Sequence, residues 1–477
     1  MTTIKSGIIY ALSSVAFILC NIPCFGQANT PTDSLLNQVR LHYNLQQPEK
    51  IYKNTSAEFH KKMTQFQFQE GMAKFYAKTG QWNSITFKGQ TDKGWDYLCS
   101  FDKSDQIVSI KLDQDGKINR LNFAQVATQI PAKQEQVASN NPLKDSIDLR
   151  VERLVRPYIQ KGNTCGITIA IIDRGNIYRY SYGSVNKLKE QLPDPELTIF
   201  EIGSVTKTFN ALLLAKAVTA GKMKLEDPVN RYLPTDIPEL AFQGNPLKLI
   251  HLANHTSGLP RLPANIFLGD VNPADPYKHY TSDSLYSFLR TYRPTTMPGK
   301  SFDYSNLGAG LLGTILERNS SQSFEQLIRD QITSALDMEN TFVTLSANDR
   351  KRLAQGYDEQ GKPASPWDLG ALKGSGAIKS TLNDMIKYVR AQLGSKSPLE
   401  RAIETSHQIT FAGGTQDMAL GWRINKGITS DYLHHSGGTG GFRSFVGFHS
   451  KKKFGIVILS NAAEDVTSIG EAFLLSQ

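Results

Sequence analysis

The chain has 477 residues, enough for two or three domains, and its 40% hydrophobic and 20% charged content is that of a globular protein with a real core. Its 53 basic and 44 acidic residues leave a formal charge of +9, spread along the chain rather than gathered on one stripe. Tight runs such as Lys451-Lys452-Lys453 are only three residues long, so nucleic acid is not an expected partner.

The first 26 residues do not read as part of a fold. Lys5 gives a positive start, Ile8 to Cys20 an apolar run, and "NIPCFGQ" a small-residue exit, the pattern of a secretory signal peptide cleaved after Gly26. The run is short for a membrane span, and the residues before Cys20 and Cys24 are not the small ones a lipoprotein signal carries. The expectation is a mature chain that is secreted or periplasmic, with no transmembrane segment. Only Cys99 and Cys165 survive cleavage. Two buried free thiols are expected, although that compartment permits a disulfide. No CxxC pair is left in the mature chain, so zinc held by thiolates is excluded and no cofactor or metal is expected.

Residues 27–125 read as a small α+β domain. "TDSLLNQVRLHY" and "SAEFHKKMTQFQFQEGMAKFYAKTG" carry helical spacing, the second ending at Gly80. "WNSITFK", "WDYLCSF", "QIVSIKLD" and "INRLNF" then read as strands of a meander, the last two joined through "DQDGK". Residues 126–145 hold no aromatics and much Gln, Asn, Ala and Ser, a linker composition. From 146 to 477 the two ends read as strands, "GITIAIIDRG" with "IYRYSYGSV" and "FRSFVGFHS" with "FGIVILSNA". Long helical patterns such as "TFNALLLAKAVTAG" and "LGAGLLGTILERNS" lie between. This predicts one antiparallel sheet built from both ends of the domain beside a helical lobe, an α+β class.

Three elements carry chemistry. In "FEIGSVTKTFN", Ser204 opens a helix and Lys207 lies one turn on, on the same face. A buried Lys207 amine would have a lowered pKa and accept the serine proton. The bland alternative is a helix cap with a solvated lysine, and Ser450–Lys453 repeats the spacing on a charged turn. "PGKSFDYSNLGAG" supplies Tyr304, a proton shuttle if cations lower its pKa, and Asn306, whose amide can hold a carbonyl; Tyr52–Asn54 repeats that spacing in the first domain. "LHHSGGTGGFRSFVGF" brings His435, Ser436, Gly437 and Gly438 into a strand through glycines that allow close approach. No Lys-Ser/Thr follows, so it is no phosphate loop. His251 and His255 have i, i+4 spacing but no glutamate between them, which makes a metal pair a poor reading. His434, Tyr277 and Trp367 are candidates for the cleft wall or plain packing.

The three elements stand in this order with about 100 and about 130 residues between them. Together they resemble the serine β-lactamase, penicillin-binding protein and family VIII esterase group, in particular its class C branch. "HTSGLP", "GKMKLEDPVNRYLP" and "GTGGF" look like the same branch. The resemblance covers about 150–477 and implies the β-lactamase/transpeptidase-like fold. The first domain looks like the cone-shaped, cystatin-like accessory domains of secreted hydrolases. By the resemblance Ser204 is the acylated nucleophile, and Lys207 and Tyr304 are general base and acid. Asn306 orients the substrate, His435 and Ser436 line the third wall, and the amides of Ser204 and Gly438 form the oxyanion hole. The implied partner is a small molecule or short peptide: a cell-wall peptide, an ester or a β-lactam. One departure matters: His435 stands where class C β-lactamases have lysine, as it does in some D-Ala-D-Ala peptidases and many esterases of the group. It is at best a conditional cation near neutral pH. Arg443, just past the glycines, is a candidate replacement for that charge.

Overall fold

The computed structural model describes residues 32–91, 94–102, 104–125, 137–268, 271–394, 396–413, 417–425 and 431–475. The expected signal peptide and the first part of the expected linker lie outside the described residues. Two compact units divide between Thr128 and Gln129. Among the described residues no helix is long and apolar enough to cross a membrane.

The first unit packs helices α1 (Asp33–Asn44), α2 (Pro48–Tyr52), α3 (Ala57–Lys62) and α4 (Gln65–Thr79) with a four-stranded antiparallel sheet. The sheet runs in sequence order through β1 (Trp82–Thr91), β2 (Gly94–Phe101), β3 (Asp105–Leu112) and β4 (Ile118–Gln125). The stretch read as one long helical pattern, 56–80, breaks at Met63-Thr64. The Thr64 hydroxyl accepts from the Gln67 amide, and Gln67 Oε1 accepts from the Thr64 amide. That reciprocal cap restarts the helix as α4. Tyr43, Trp82, Tyr97, Phe101, Val108 and Ile110 form a core of their own. Cys99 lies inside it, a buried thiol; Cys165, in the other unit, is buried too, and its Sγ donates to Ser184 O at 3.1 Å.

The second unit holds an eight-stranded sheet. The sheet and the principal helices around it are, in chain order, α5 (Ser146–Ile159), β5 (Gly166–Asp173), β6 (Asn176–Gly183), α6 (Thr206–Thr219), α7 (Asn306–Ser320), α8 (Leu382–Gln392), β7 (Phe411–Ala412), β8 (Asp417–Met418), β9 (Arg423–Asn425), β10 (Tyr432–Gly438), β11 (Arg443–His449), β12 (Phe454–Ser460) and α9 (Thr467–Leu475). The strand order β7-β8-β9-β10-β11-β12-β5-β6 places the last strands against the first hairpin, with Ile456 opposite Ile171. The sheet is therefore made from both ends of the domain, as the sequence predicts. Both of its faces are covered, which is why β5 and β12 read as unbroken apolar runs. Ile169, Ile171, Phe445, Ile456 and Ile458 meet α5 and α9 on one side. Ala170, Ile172, Val446, Val457 and Leu459 join the larger core of α6, α7 and α8 on the other. Within the stretch 126–145, residues from 137 onward are pinned to the sheet edge: the Asn140 amide donates to Ser181 O and the Gly183 amide to Ala138 O.

Candidate active site

Helix α6 is buried on every side from Thr206 to Ala215, so it runs through the core rather than over its surface, with Phe209, Leu212, Leu213 and Leu214 in the main cluster. Ser204 sits at its entrance in a 3-10 turn, Gly203–Val205. The turn is held by three hydrogen bonds, two with Ile378 and one with Ser444. Ile202 N donates to Ile378 O, Ser444 Oγ donates to Ile202 O, and Thr206 Oγ1 accepts from Ile378 N. Lys207, one helical turn on, is 3% exposed. Its Nζ is hydrogen-bonded to Ser204 Oγ at 3.0 Å and donates to the Ser375 carbonyl at 2.6 Å. Burial pushes the Lys207 pKa down, and the Arg261 and Arg423 charges add to that.

The second wall comes from the start of α7. The Ser305 hydroxyl accepts from the Gly308 amide at 2.8 Å and donates to Pro260 O at 2.7 Å, so one side chain caps the helix and ties it to the 255–261 loop. The Asn306 amide donates to Arg261 O, and His255 Nδ1 accepts from the Ser305 amide. This places Tyr304 over Lys207, whose Nζ is 4.9 Å from the ring centroid. Arg261 and Arg423 approach the same ring at 5.1 and 5.7 Å. Burial alone would raise the Tyr304 pKa. The Lys207 charge, hydrogen bonding with Lys207 and Ser204, and the Arg261 charge outweigh it and hold the phenol below its ordinary value. Asn306 is half-buried in the first turn of α7.

The third wall is β10. A Cβ on Gly437 would lie 2.1 Å from Ile202 O and 3.0 Å from Ser204 N, and one on Gly203 would lie 2.6 Å from Gly438 N. Only glycine permits this approach, and it brings the Ser204 and Gly438 amides side by side. His435 shares the pleat of Gly437, while Ser436 lies on the opposite pleat with His434. The His435 ring is 6.3 Å from Tyr304 and is 2% exposed. Its Nδ1 donates to Ser436 O at 2.7 Å, and Nε2 is buried with no partner among the described residues. Burial, then Lys207 and Arg423, drive its pKa well below 6.5, so the ring is neutral. The expectation of a conditional cation near neutral pH is thereby corrected: burial and two nearby cations take the charge away. Arg443 does not replace it. Its guanidinium donates to the Thr439 and Phe442 carbonyls at 2.8 and 3.0 Å and closes the turn after β10.

The structure thus gathers Ser204, Lys207, Tyr304, Asn306, His435, Gly437 and Gly438 from three distant segments. Besides Lys207, the cations at the site are Arg261 and Arg423, which the sequence reading did not single out. Arg261 follows directly on "HTSGLP", a signal that was available; Arg423 stands on a three-residue strand with no motif. His251 and His255 do not form a metal pair. The helix between them stops at Ala253, and each Nδ1 accepts from a backbone amide, of Lys248 and Ser305 respectively. Trp367 packs edge-on against Tyr277 at 5.2 Å and lies against Gly440. His434 stacks on Phe445 toward the α9 side.

The family model named Beta-lactamase matches residues 151–474. A curated β-lactamase of Escherichia coli (strain K12) is 30% identical over 350 residues, 65% of this chain and 88% of that protein. A solved structure described as a class C β-lactamase aligns with a TM-score of 0.62 at 25% identity, covering 71% of this chain and 98% of that one. Another, described as a β-lactamase/D-alanine carboxypeptidase from Pseudomonas syringae, aligns with a TM-score of 0.61 at 24% identity, over 70% of this chain and 99% of that one. A buried Ser-x-x-Lys pair at the head of a core helix and a family match over residues 151–474 agree: the chain belongs to the β-lactamase family and is a class C β-lactamase-like serine hydrolase.

Proposed function

We propose that this hydrolase is secreted and works through an acyl-enzyme on Ser204, with a D-Ala-D-Ala-type peptide or an ester as substrate. The observation that carries the proposal is the Lys207 amine, buried and 3.0 Å from Ser204 Oγ, beneath a tyrosine held below its ordinary pKa. Ser204 Oγ attacks the scissile carbonyl, and its proton passes to the coupled Lys207–Tyr304 pair. The Ser204 and Gly438 amides face the developing oxyanion. The proton then goes from Tyr304 to the leaving amine or alcohol as the C–N or C–O bond breaks. A water molecule attacks the ester so formed, gives its proton to the same pair, and releases the acid and Ser204. Asn306 orients the substrate carbonyl and His435 borders it; Ser436, expected from the sequence to do so too, lies on the opposite pleat, paired with Phe445. No step needs a metal or cofactor. The neutral His435 favours a peptide or ester over a β-lactam, because the fixed charge of the class C lysine is missing. Secretion rests on the leader pattern of residues 1–26.

A second reading, true β-lactam turnover, is favoured by Arg261 and Arg423 beside Tyr304, which leave the site cationic. The mature protein and Ser204→Ala are given a chromogenic ester, a D-Ala-D-Ala peptide and a labelled penicillin. The proposal expects turnover of ester or peptide by the parent alone. Faster penicillin turnover favours the second reading, and labelling without turnover of any substrate marks a sensor. Turnover by Ser204→Ala overturns both.

A further inference from the structure

Glu201 is a buried carboxylate, three residues before Ser204, that the acylation chemistry leaves unused. Its two-residue strand, Phe200–Glu201, pairs with Lys379–Ser380 and runs directly into the Ser204 turn. Glu201 Oε1 accepts the Trp367 amide at 2.9 Å. Lys379 Nζ, 4.0 Å from that oxygen, donates to the Trp367 carbonyl at 3.3 Å and to the Val343 and Ala377 carbonyls at 3.2 and 3.1 Å. The Glu201–Lys379 pair therefore holds Trp367 by both of its backbone polar groups. The Trp367 indole in turn abuts Gly440, where a Cβ would lie 2.9 Å from Nε1. Gly440 belongs to the turn that follows the Gly438 amide, closed by the Thr439 amide donating to Phe442 O. A second link reaches that turn directly. Glu201 Oε2 and Thr439 Oγ1 are both buried, and neither has a hydrogen bond of ordinary geometry among the described residues. They are neighbours: burial raises the Glu201 pKa, and the Lys379 charge and then the Thr439 hydroxyl pull it back. A buried hydroxyl beside a buried carboxylate oxygen is costly unless it donates to that oxygen.

We propose that Glu201 is a positioning residue of the oxyanion hole: through Trp367 and the Thr439 hydroxyl it sets the Gly438 amide against the Ser204 amide that its own strand carries. The inference rests on the acyl-enzyme reading and adds to it the side chain that fixes the spacing of the two donors. A carboxylate suits the task because its two oxygens accept from two anchors at once. The oxyanion exists only in the transition state and the tetrahedral intermediate, so loosening this link lowers kcat and leaves KM nearly unchanged. The test compares Thr439→Val, which keeps the shape and removes the hydroxyl, with Thr439→Ser, which keeps the hydroxyl, and with Glu201→Met. For each, kcat and KM are measured on the ester or peptide that the parent turns over best. The inhibition constant of phenylboronic acid is measured beside them, since its tetrahedral Ser204 adduct places an oxygen between the two amides. Thr439→Val should lose about tenfold or more in kcat, with a parallel loss of boronate affinity and with KM and melting temperature near the parent's. Thr439→Ser should recover most of that loss. Glu201→Met should lose more, and adding Thr439→Val to it should cost little further. Thr439→Val carries the test should Glu201→Met melt early. Parental kcat and boronate affinity in Thr439→Val, or a loss confined to KM, overturns the proposal. So does a Thr439→Ser chain no better than Thr439→Val, or losses at the two positions that multiply independently. A parent inert toward substrate and boronate alike, or a boronate held equally by Ser204→Ala, sinks the acyl-enzyme reading itself and the proposal with it.

Discussion

Lys207 is the residue on which chemistry and stability pull apart. Its amine is buried beside the Arg261 and Arg423 charges, and its folded pKa lies below the ordinary 10.5. Fewer protons are then bound folded than unfolded, so between the two pKa values stability rises with pH, and the burden is largest below the folded value. Lys207→Met should lower kcat/KM by about 10²–10⁴-fold while melting at pH 7 no lower than the parent; a variant that keeps its activity contradicts the assignment. Arg261 is one of the charges holding Tyr304 below 10.0. Removing a cation disfavours the phenolate, so Arg261→Ala should move the limb of kcat/KM that rises with pH to higher pH, and an unmoved limb would separate Arg261 from Tyr304. Ser204 and Lys207 were legible because nucleophile and base must lie one turn apart, and Tyr304 because its motif follows theirs at the family's order and spacing. The neutral state of His435 was not, because it depends on burial and on Lys207 and Arg423, which only the fold brings near. The second Ser-x-x-Lys shows the same limit: Lys453 turns away to donate to the Leu393 carbonyl at 2.6 Å.

At the scale of elements, two glycines make opposite predictions. Gly437 in β10 has no room for a methyl group, since its Cβ would overlap Ile202 O at 2.1 Å. Gly437→Ala should cost about 1–3 kcal/mol and displace the strand from the Ser204 turn, seen as a lowered melting temperature and lost ester turnover. Gly71 sits in the interior of α4 with nothing within 4 Å of a Cβ. Gly71→Ala should stabilise the first unit by about 0.5–1 kcal/mol through the entropy of the unfolded chain, measured in denaturant. Helices α6 and α7 were legible because both are long and each carries an unbroken apolar run, "ALLLA" and "LGAGLLG". The break between α3 and α4 was missed because the pattern stays amphipathic across it and the stop depends on one threonine and one glutamine.

Across the whole molecule, each unit has a separate apolar core, and the second contains every residue of the proposed acylation site. The chain truncated to begin at Gln129 should fold and turn over the chromogenic ester. A truncated chain that folds but is inactive would give the first unit a part in catalysis. The assembly of the sheet from both ends was legible from apolar runs at each end of the domain. The short strands β7 to β9, two or three residues each, were not, because so few residues carry no periodicity. That gap is where Arg423 stands.

The most direct measurement of the central claim is the mass of the trapped intermediate. The mature protein is quenched in acid soon after mixing with a slowly hydrolysed ester or penicillin, and the adduct is mapped by peptide mass spectrometry. The expected result is one acyl group on the peptide containing Ser204, absent in Ser204→Ala and lost with time as the product acid appears. An adduct on another residue, or one that persists in Ser204→Ala, would contradict the account.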